Sequence, residues 1–427
     1  MMNHISSFSV NLYVGQLNAH RNGRKITEVG GVGKTMNDTS TQKKKVLVIG
    51  ASGLLGVAAT ENFLSAGWEV IGVSLRKPEL PSGRNLEFLS VDLRDKEATR
   101  TAFEPLTEIT HVAYTAIHEK PALVAGWSSK DQIETNNAML RNVMEPILRA
   151  ASNFQHISIL QGTKIYGVHL HPIPIPAREH DAHKDHENFF FDHEDYVREM
   201  SERHGFKYTA LRPQLVTGPT PGALNVLPAI GVYAAIRREK GEPFSFPGGP
   251  SFVWEAADAD LVADVMVWAA ESARAANEAF NITNGDVFEW RSLWPALAET
   301  LGVQTGPDTP MSVATYIEKN ADVWNQIVAK YNLRSRNLRE LVGHGDQHAD
   351  FAFAYGAPEG PRAFVSTIKL RQAGFTKVID TEQAFRNALQ SLIERKLLPP
   401  GTIPQQIYKS GSIPGAKLKG EFHATTK

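Results

Sequence analysis

One stretch limits the fold more than any other: KKKVLVIGASGLLGVAATENFLSAGWEVIGVSLRK, residues 43–77. Residues 46–49 are an apolar, largely β-branched run suited to a buried parallel strand. Gly50, Gly53 and Gly56 follow at G-x-x-G-x-x-G spacing. Residues 57–66 have helical composition, and Gly67 ends them. Residues 68–75, WEVIGVSL, read as a second strand. Strand, glycine turn, helix and strand make a βαβ unit. The fold class expected is therefore α/β, a Rossmann-type doubly wound parallel sheet, with a smaller, mostly helical C-terminal substrate domain.

The glycines have separate tasks in a nucleotide site. Gly50 permits the tight turn, Gly53 lets the backbone approach a pyrophosphate, and Gly56 lets the helix pack close to the strand. The helix N-terminus then meets the phosphates with unpaired N–H groups and its positive dipole end. The cofactor-binding set expected here is Gly50, Ser52, Gly53, Leu54, Leu55 and Gly56. The bland alternative is a glycine-rich turn with no ligand. An acid at the end of the second strand would hold the ribose hydroxyls of NAD. This strand ends instead in Ser74, Arg76 and Lys77, and cations suit the 2′-phosphate of NADP. NADPH is the cofactor expected, with NADH as the alternative. The same cations also read as solvated loop residues. A third strand, in residues 86–95, runs into Asp92 and Leu93, and a fourth, in residues 109–116, reaches Thr115.

Composition removes other classes. The 427 residues carry 45 basic and 46 acidic side chains, a net charge of −1, which gives no reason to expect nucleic acid or an anionic membrane as partner. There is no cysteine, so disulfides, thiolate metal sites and cysteine nucleophiles are excluded. No run approaches the roughly 18 apolar residues of a membrane span, and a cytoplasmic protein is expected. Residues 1–43 read as a disordered extension and 399–427 as a loose tail. Between them, residues 44–220 are expected to form the NADP-binding domain. Residues 221–398 form the substrate-binding part, with some return to the sheet. A small-molecule substrate is expected, and a homodimer is a permitted assembly.

The extended short-chain dehydrogenases, which share this glycine spacing and the Asp-Leu pair, normally carry Tyr-x-x-x-Lys on one helix. No tyrosine in this chain has lysine four residues on. Other segments are present instead. Residues 154–170, FQHISILQGTKIYGVHL, are a strand running into Gly162-Thr163-Lys164. The carboxyl end of a parallel strand would place Lys164 over the cofactor crevice. Then come NFFFDHEDY (residues 188–196), YTALRPQLVTG (208–218) and NEAFNITNGDVFEW (277–290). In this order the segments resemble the progesterone 5β-reductase/iridoid synthase-like family, over roughly residues 44–398. The matching positions are Gly162 to Lys164, Asn188-Phe189 with Glu194-Asp195, Arg212-Pro213, and 277–290.

The resemblance implies an NADPH-dependent reductase of the C=C bond of α,β-unsaturated carbonyls. Hydride goes to the β-carbon and charge builds on the carbonyl oxygen, which needs a donor. In the family a tyrosine hydroxyl supplies it, with a lysine nearby. The lysine carries over to Lys164. Both positions that hold tyrosine in the family are phenylalanine here, Phe190 and Phe191, and Phe191 falls in the Tyr-x-x-x-Lys frame of the wider superfamily. Three accounts stand open. Tyr166 donates instead, its plainer role being a buried structural tyrosine. Lys164 or an ordered water stabilises the enolate. Or the protein binds NADP(H) with a lost or changed reaction, as a non-catalytic binding protein or an epimerase/dehydratase-like enzyme. Pro213 and Val216 are expected beside the nicotinamide, and Phe191 on the pocket wall.

Residues 180–193 hold His180, His183, His186 and His193 among Asp181, Asp185 and Asp192, and residues 343–350 hold His344, Asp346 and His348. The first spacing fits no helical i, i+4 pair ahead of Asn188 and reads as a solvated loop leading into a helix. The family resemblance makes the second a structural part of the C-terminal region, so no metal is expected. Asn188 reads as a helix N-cap. Residues 225–239 read as an amphipathic helix, with Asn225, Leu227 and Tyr233 as pocket-wall candidates.

Overall fold

A computed structural model of the chain describes residues 44–120, 129–222, 224–334 and 337–401. The expected N-terminal extension and nearly all of the expected tail lie outside the described residues.

The strands are β1 (Lys45–Ile49), β2 (Glu69–Ser74), β3 (Glu87–Ser90), β4 (His111–Tyr114), β5 (His156–Leu160), β6 (Lys207–Pro213) and β7 (Glu278–Ile282). They form one sheet in the order β7-β6-β5-β4-β1-β2-β3. Each pairing in it is parallel. The order reverses between β1 and β4, where a doubly wound sheet opens its ligand crevice.

Side-chain alternation explains why helices cover both faces. Val46 and Val48 join one apolar cluster, with α1 (Leu54–Ser65) and α6 (Ala259–Glu271). Leu47 and Ile49 join another, beneath α2 (Lys96–Phe103), α3 (Lys130–Ala150) and α4 (Phe189–His204). A strand buried on both faces has no polar side, so it reads as a continuous apolar run. The C-terminal half thus gives β7 to the sheet and α6 to its cover. Asn188 caps α4 as expected, its Oδ1 accepting from the Phe190 N–H at 3.0 Å.

A third core surrounds α5 (Val226–Glu239), with α7 (Trp290–Leu301) and α8 (Thr381–Glu394) packed on it. The amphipathic reading of residues 225–239 is corrected here. Every residue from Val226 to Arg237 is buried. Helices cover α5 on all sides, and a helix so enclosed has no wet face to keep polar. Among the described residues no helix is long and apolar enough to cross a membrane.

Candidate active site

A cleft of about 600 Å³ opens at the carboxyl ends of β1, β2, β4, β5 and β6. Its first wall is the glycine turn. Gly50 has φ +85° and donates to the Val73 carbonyl at 2.8 Å. A side chain there would be strained, and its Cβ would lie 2.7 Å from the Ala116 nitrogen. A Cβ on Gly56 would stand 2.0 Å from the Gly50 carbonyl oxygen, so only glycine lets α1 approach the turn. Gly53 caps α1 with no side-chain hydrogen bond, which leaves the first-turn N–H groups for an anion. Gly50, Ser52, Gly53, Leu54 and Leu55 line the cleft, and Gly56 sits behind them in the packing. This cradle fits a pyrophosphate.

The next wall is the end of β2 and β3. Ser74, Arg76, Asp92 and Leu93 all line it. Ser74 Oγ donates to the Arg76 carbonyl at 2.7 Å. Lys77 is exposed and does not reach the lining; the chain has left the strand at Ser74 and turns outward. Asp92 accepts from Nε and Nη2 of Arg94 at 2.9 and 2.7 Å, and this hydrogen-bonded pairing holds its carboxyl below the usual range. Arg94 lines the cleft too and was not singled out from sequence. Thr115 Oγ1 donates to the Ile49 carbonyl at 2.7 Å, fixing the end of β4.

The deep end holds Lys164, on a short 3-10 turn (Thr163–Tyr166) directly after β5. Its Nζ lies 5.9 Å from the centre of the Phe190 ring. Burial pulls its ammonium down to about 8, with Glu119 opposing. Pro213 and Val216 line the cleft nearby in the chain order β6 dictates.

Two expected site residues lie elsewhere. Tyr166 is buried behind the cleft wall. Its hydroxyl donates to Asn281 Oδ1 at 2.6 Å and accepts from Arg212 Nη1 at 3.3 Å. Arg212 is itself buried and fixed by Gln161 and Glu194. Tyr166 thus links β5 to β6 and β7. Phe191 faces a separate pocket of about 370 Å³ bordered by Lys130, Lys184 and Asp192, with its ring edge-on to His186 at 5.3 Å. Successive helix residues diverge by about 100°. On α4 this sends Phe189, Phe190 and His193 to the cleft and Phe191 away. The position facing Lys164 is Phe190.

The histidines divide in the same way. His193 is buried and its Nε2 donates to the Asn136 carbonyl at 3.1 Å; burial lowers its ring to about 4. His169 also lines the cleft, lowered to about 4 by burial and then by Lys164. His186 Nε2 donates to the Lys164 carbonyl at 3.1 Å, holding the turn. His180 lies against Asp181. Among the described residues no group of three or more His, Asp or Glu side chains is arranged to hold a metal ion.

The second half closes the cleft with Leu224, Trp254, His348 and Phe351. Asn225, Leu227 and Tyr233 do not contribute. Asn225 Nδ2 donates to the Gly218 and Thr220 carbonyls, and Tyr233 OH donates to the Ser245 carbonyl at 3.0 Å. The i, i+3 spacing of His348 and Phe351 places both on one helix face, and was the available signal for this wall.

Comparisons with known proteins agree with this geometry. The family model described as NAD dependent epimerase/dehydratase family matches residues 46–283. The chain is 27% identical over 398 residues to (S)-8-oxocitronellyl enol synthase of Antirrhinum majus, covering 88% of this chain and 97% of that one. It is 30% identical over 315 residues to 3-oxo-Delta(4,5)-steroid 5-beta-reductase of Arabidopsis thaliana, covering 69% and 79%. Among solved structures, UDP-glucose 4-epimerase of Thermotoga maritima superposes with a TM-score of 0.58 at 18% identity, over 83% of this chain and 99% of that one. That likeness concerns the fold alone. The chain belongs to the NAD dependent epimerase/dehydratase family, among its progesterone 5β-reductase/iridoid synthase-like members.

Proposed function

We propose that the protein is an NADPH-dependent reductase of the C=C bond of α,β-unsaturated carbonyls. The observation that carries this reading is the half-buried Lys164 side chain lining the deep end of the cleft, its Nζ 5.9 Å from the centre of the Phe190 ring. A desolvated cation there acts where charge builds during the reaction, and it needs no reorganisation to do so. The relatives support it: one is named for a 3-oxo-Delta(4,5) steroid, whose double bond is conjugated to a ketone.

The residues take these roles. The glycine turn and the α1 N-terminus hold the pyrophosphate. Arg76 meets the 2′-phosphate, while Arg94 neutralises Asp92 and leaves that end of the cleft net positive. Residues 44–220 serve as the dinucleotide half and 221–398 as the substrate half. The reduced nicotinamide, when bound, is the source of the hydride that forms the new C–H bond at the β-carbon. Lys164 stabilises the carbonyl oxygen as the π electrons move onto it, then gives that oxygen a proton. A solvent proton adds to the α-carbon as the O–H proton returns to the Lys164 amine, so the ketone forms with one proton consumed overall. Phe189 and Phe190 exclude water from the reacting end.

The second reading is a non-catalytic NADP(H)-binding protein, favoured by the phenyl ring of Phe190 facing Lys164. One experiment separates them. Purified protein is mixed with NADPH and a panel of small enones including 2-cyclohexenone, and the absorbance of the reduced nicotinamide is followed. Steady oxidation with at least one enone is expected. Tight NADPH binding with no oxidation across the panel would sink the reductase reading.

A further inference from the structure

Two imidazoles in the cleft have their protons placed by the backbone. His348 stands on the short helix Gly345–Ala352, with Nδ1 against the Leu224 carbonyl oxygen. A carbonyl only accepts, so Nδ1 carries the proton. Burial, aided by the Lys164 charge, lowers the ring from its ordinary range and keeps it neutral. A neutral imidazole protonated on Nδ1 presents a lone pair on Nε2. The ring lies nearly parallel to Phe351, at 6.3 Å and 19°. Both line the cleft, and with Nδ1 turned to the backbone the Nε2 edge is the one left to the cavity. His193 is fixed the other way round, Nε2 donating to the Asn136 carbonyl, which leaves its Nδ1 as acceptor.

The C-terminal wall is otherwise apolar or aromatic, through Leu224, Trp254 and Phe351. The one carboxylate among the described lining residues, Asp92, is taken by Arg94. An acceptor beside an apolar wall selects a ligand that brings its own donor. We propose that the substrate carries a hydroxyl separate from its enone carbonyl, and that Nε2 of His348 accepts from it, making His348 a specificity-determining residue. The enone part rests on the reductase reading; the hydroxyl part does not.

The test compares matched ligands: 2-cyclohexenone with 4-hydroxy-2-cyclohexenone, and cinnamaldehyde with 4-hydroxycinnamaldehyde. Dissociation constants are read from tryptophan fluorescence in protein saturated with NADP+, which has no hydride to give, and again without nucleotide. At least one hydroxylated ligand is expected to bind about tenfold more tightly than its parent. In His348→Phe that ratio falls to about one. His348→Gln, whose amide oxygen also accepts, keeps part of it. Equal binding within every pair in the unmodified protein overturns the proposal, as does a ratio that survives in His348→Phe. The reductase reading fails separately: hydroxyl preference without NADPH oxidation leaves His348 its role and removes only the chemistry.

Discussion

Lys164 sets two opposed expectations at one residue. In an unfolded chain its ammonium titrates near its ordinary value of about 10.4; in the fold, burial brings it to about 8. Because the folded value is the lower one, folding carries a penalty at every pH below about 8. The penalty fades as pH rises from there toward the unfolded value. The shift corresponds to roughly 3 kcal/mol. Lys164→Met is therefore expected to raise Tm by several degrees at pH 7, with the gain disappearing near pH 10.5. The same change is expected to cut kcat/KM by about a hundredfold or more. In the unmodified enzyme kcat/KM falls as pH climbs through about 8, as the donor loses its proton. Calorimetry at the two pH values and an enone rate profile check both signs; a variant that is destabilised at pH 7 would remove the buried cation from the account.

A second residue-scale expectation concerns the phenylalanines. Phe190 faces Lys164 and Phe191 faces another pocket. Phe190→Tyr should raise the enone rate, by up to about a hundredfold if the hydroxyl reaches the oxygen, whereas Phe191→Tyr should leave it unaltered. A gain only in Phe191→Tyr would show that α4 turns differently in the working enzyme.

At the scale of elements, the sequence was most legible where a pattern has one structural solution. The run 46–49, the spacing of Gly50, Gly53 and Gly56, and the Asn188 cap are local, and each takes the form its pattern dictates. Legibility ended where neighbours decide. Helix α5 looks amphipathic in isolation, but its burial is settled by α7 and α8, far along the chain. The phase of α4 decided between Phe190 and Phe191, and one residue of error there exchanges the cleft for the neighbouring pocket. Tyr166 is the sharper case. It lies two residues after Lys164, close enough to suggest a donor, yet its partners are Asn281 and Arg212 on β7 and β6. Tyr166→Phe removes one hydrogen bond to each strand and leaves buried polar groups unsatisfied, a loss of about 1–3 kcal/mol. A lower denaturation midpoint is expected, with the enone rate per folded molecule unchanged. A collapse of turnover at unchanged stability would return Tyr166 to the chemistry.

At the scale of the whole molecule, the cleft is a joint product of the sheet and the C-terminal half. Strand ends supply the cradle and Lys164, while Leu224, Trp254, His348 and Phe351 close it. The i, i+3 pair of His348 and Phe351 was the one local sign of that wall, and His348 read from sequence only as a metal candidate; its place in the cleft, and that of Arg94, emerged in three dimensions. A dinucleotide seated there binds the folded chain and not the unfolded one, so its affinity is readable as stability: about 2.7 kcal/mol at a hundredfold excess over Kd. The charge at the adenosine end then predicts a difference between two nucleotides. With Asp92 neutralised by Arg94 and Arg76 at the rim, a 2′-phosphate meets net positive charge, and NADPH should raise Tm more than NADH at equal concentration. Arg76→Ala should bring the NADPH shift down toward that of NADH and leave the NADH shift nearly unchanged. The difference should also shrink in high salt, since these groups are exposed and screened. Thermal scans with the two nucleotides, at low and high salt, decide it; equal shifts in the unmodified protein would mean that the end of β2 does not read the phosphate.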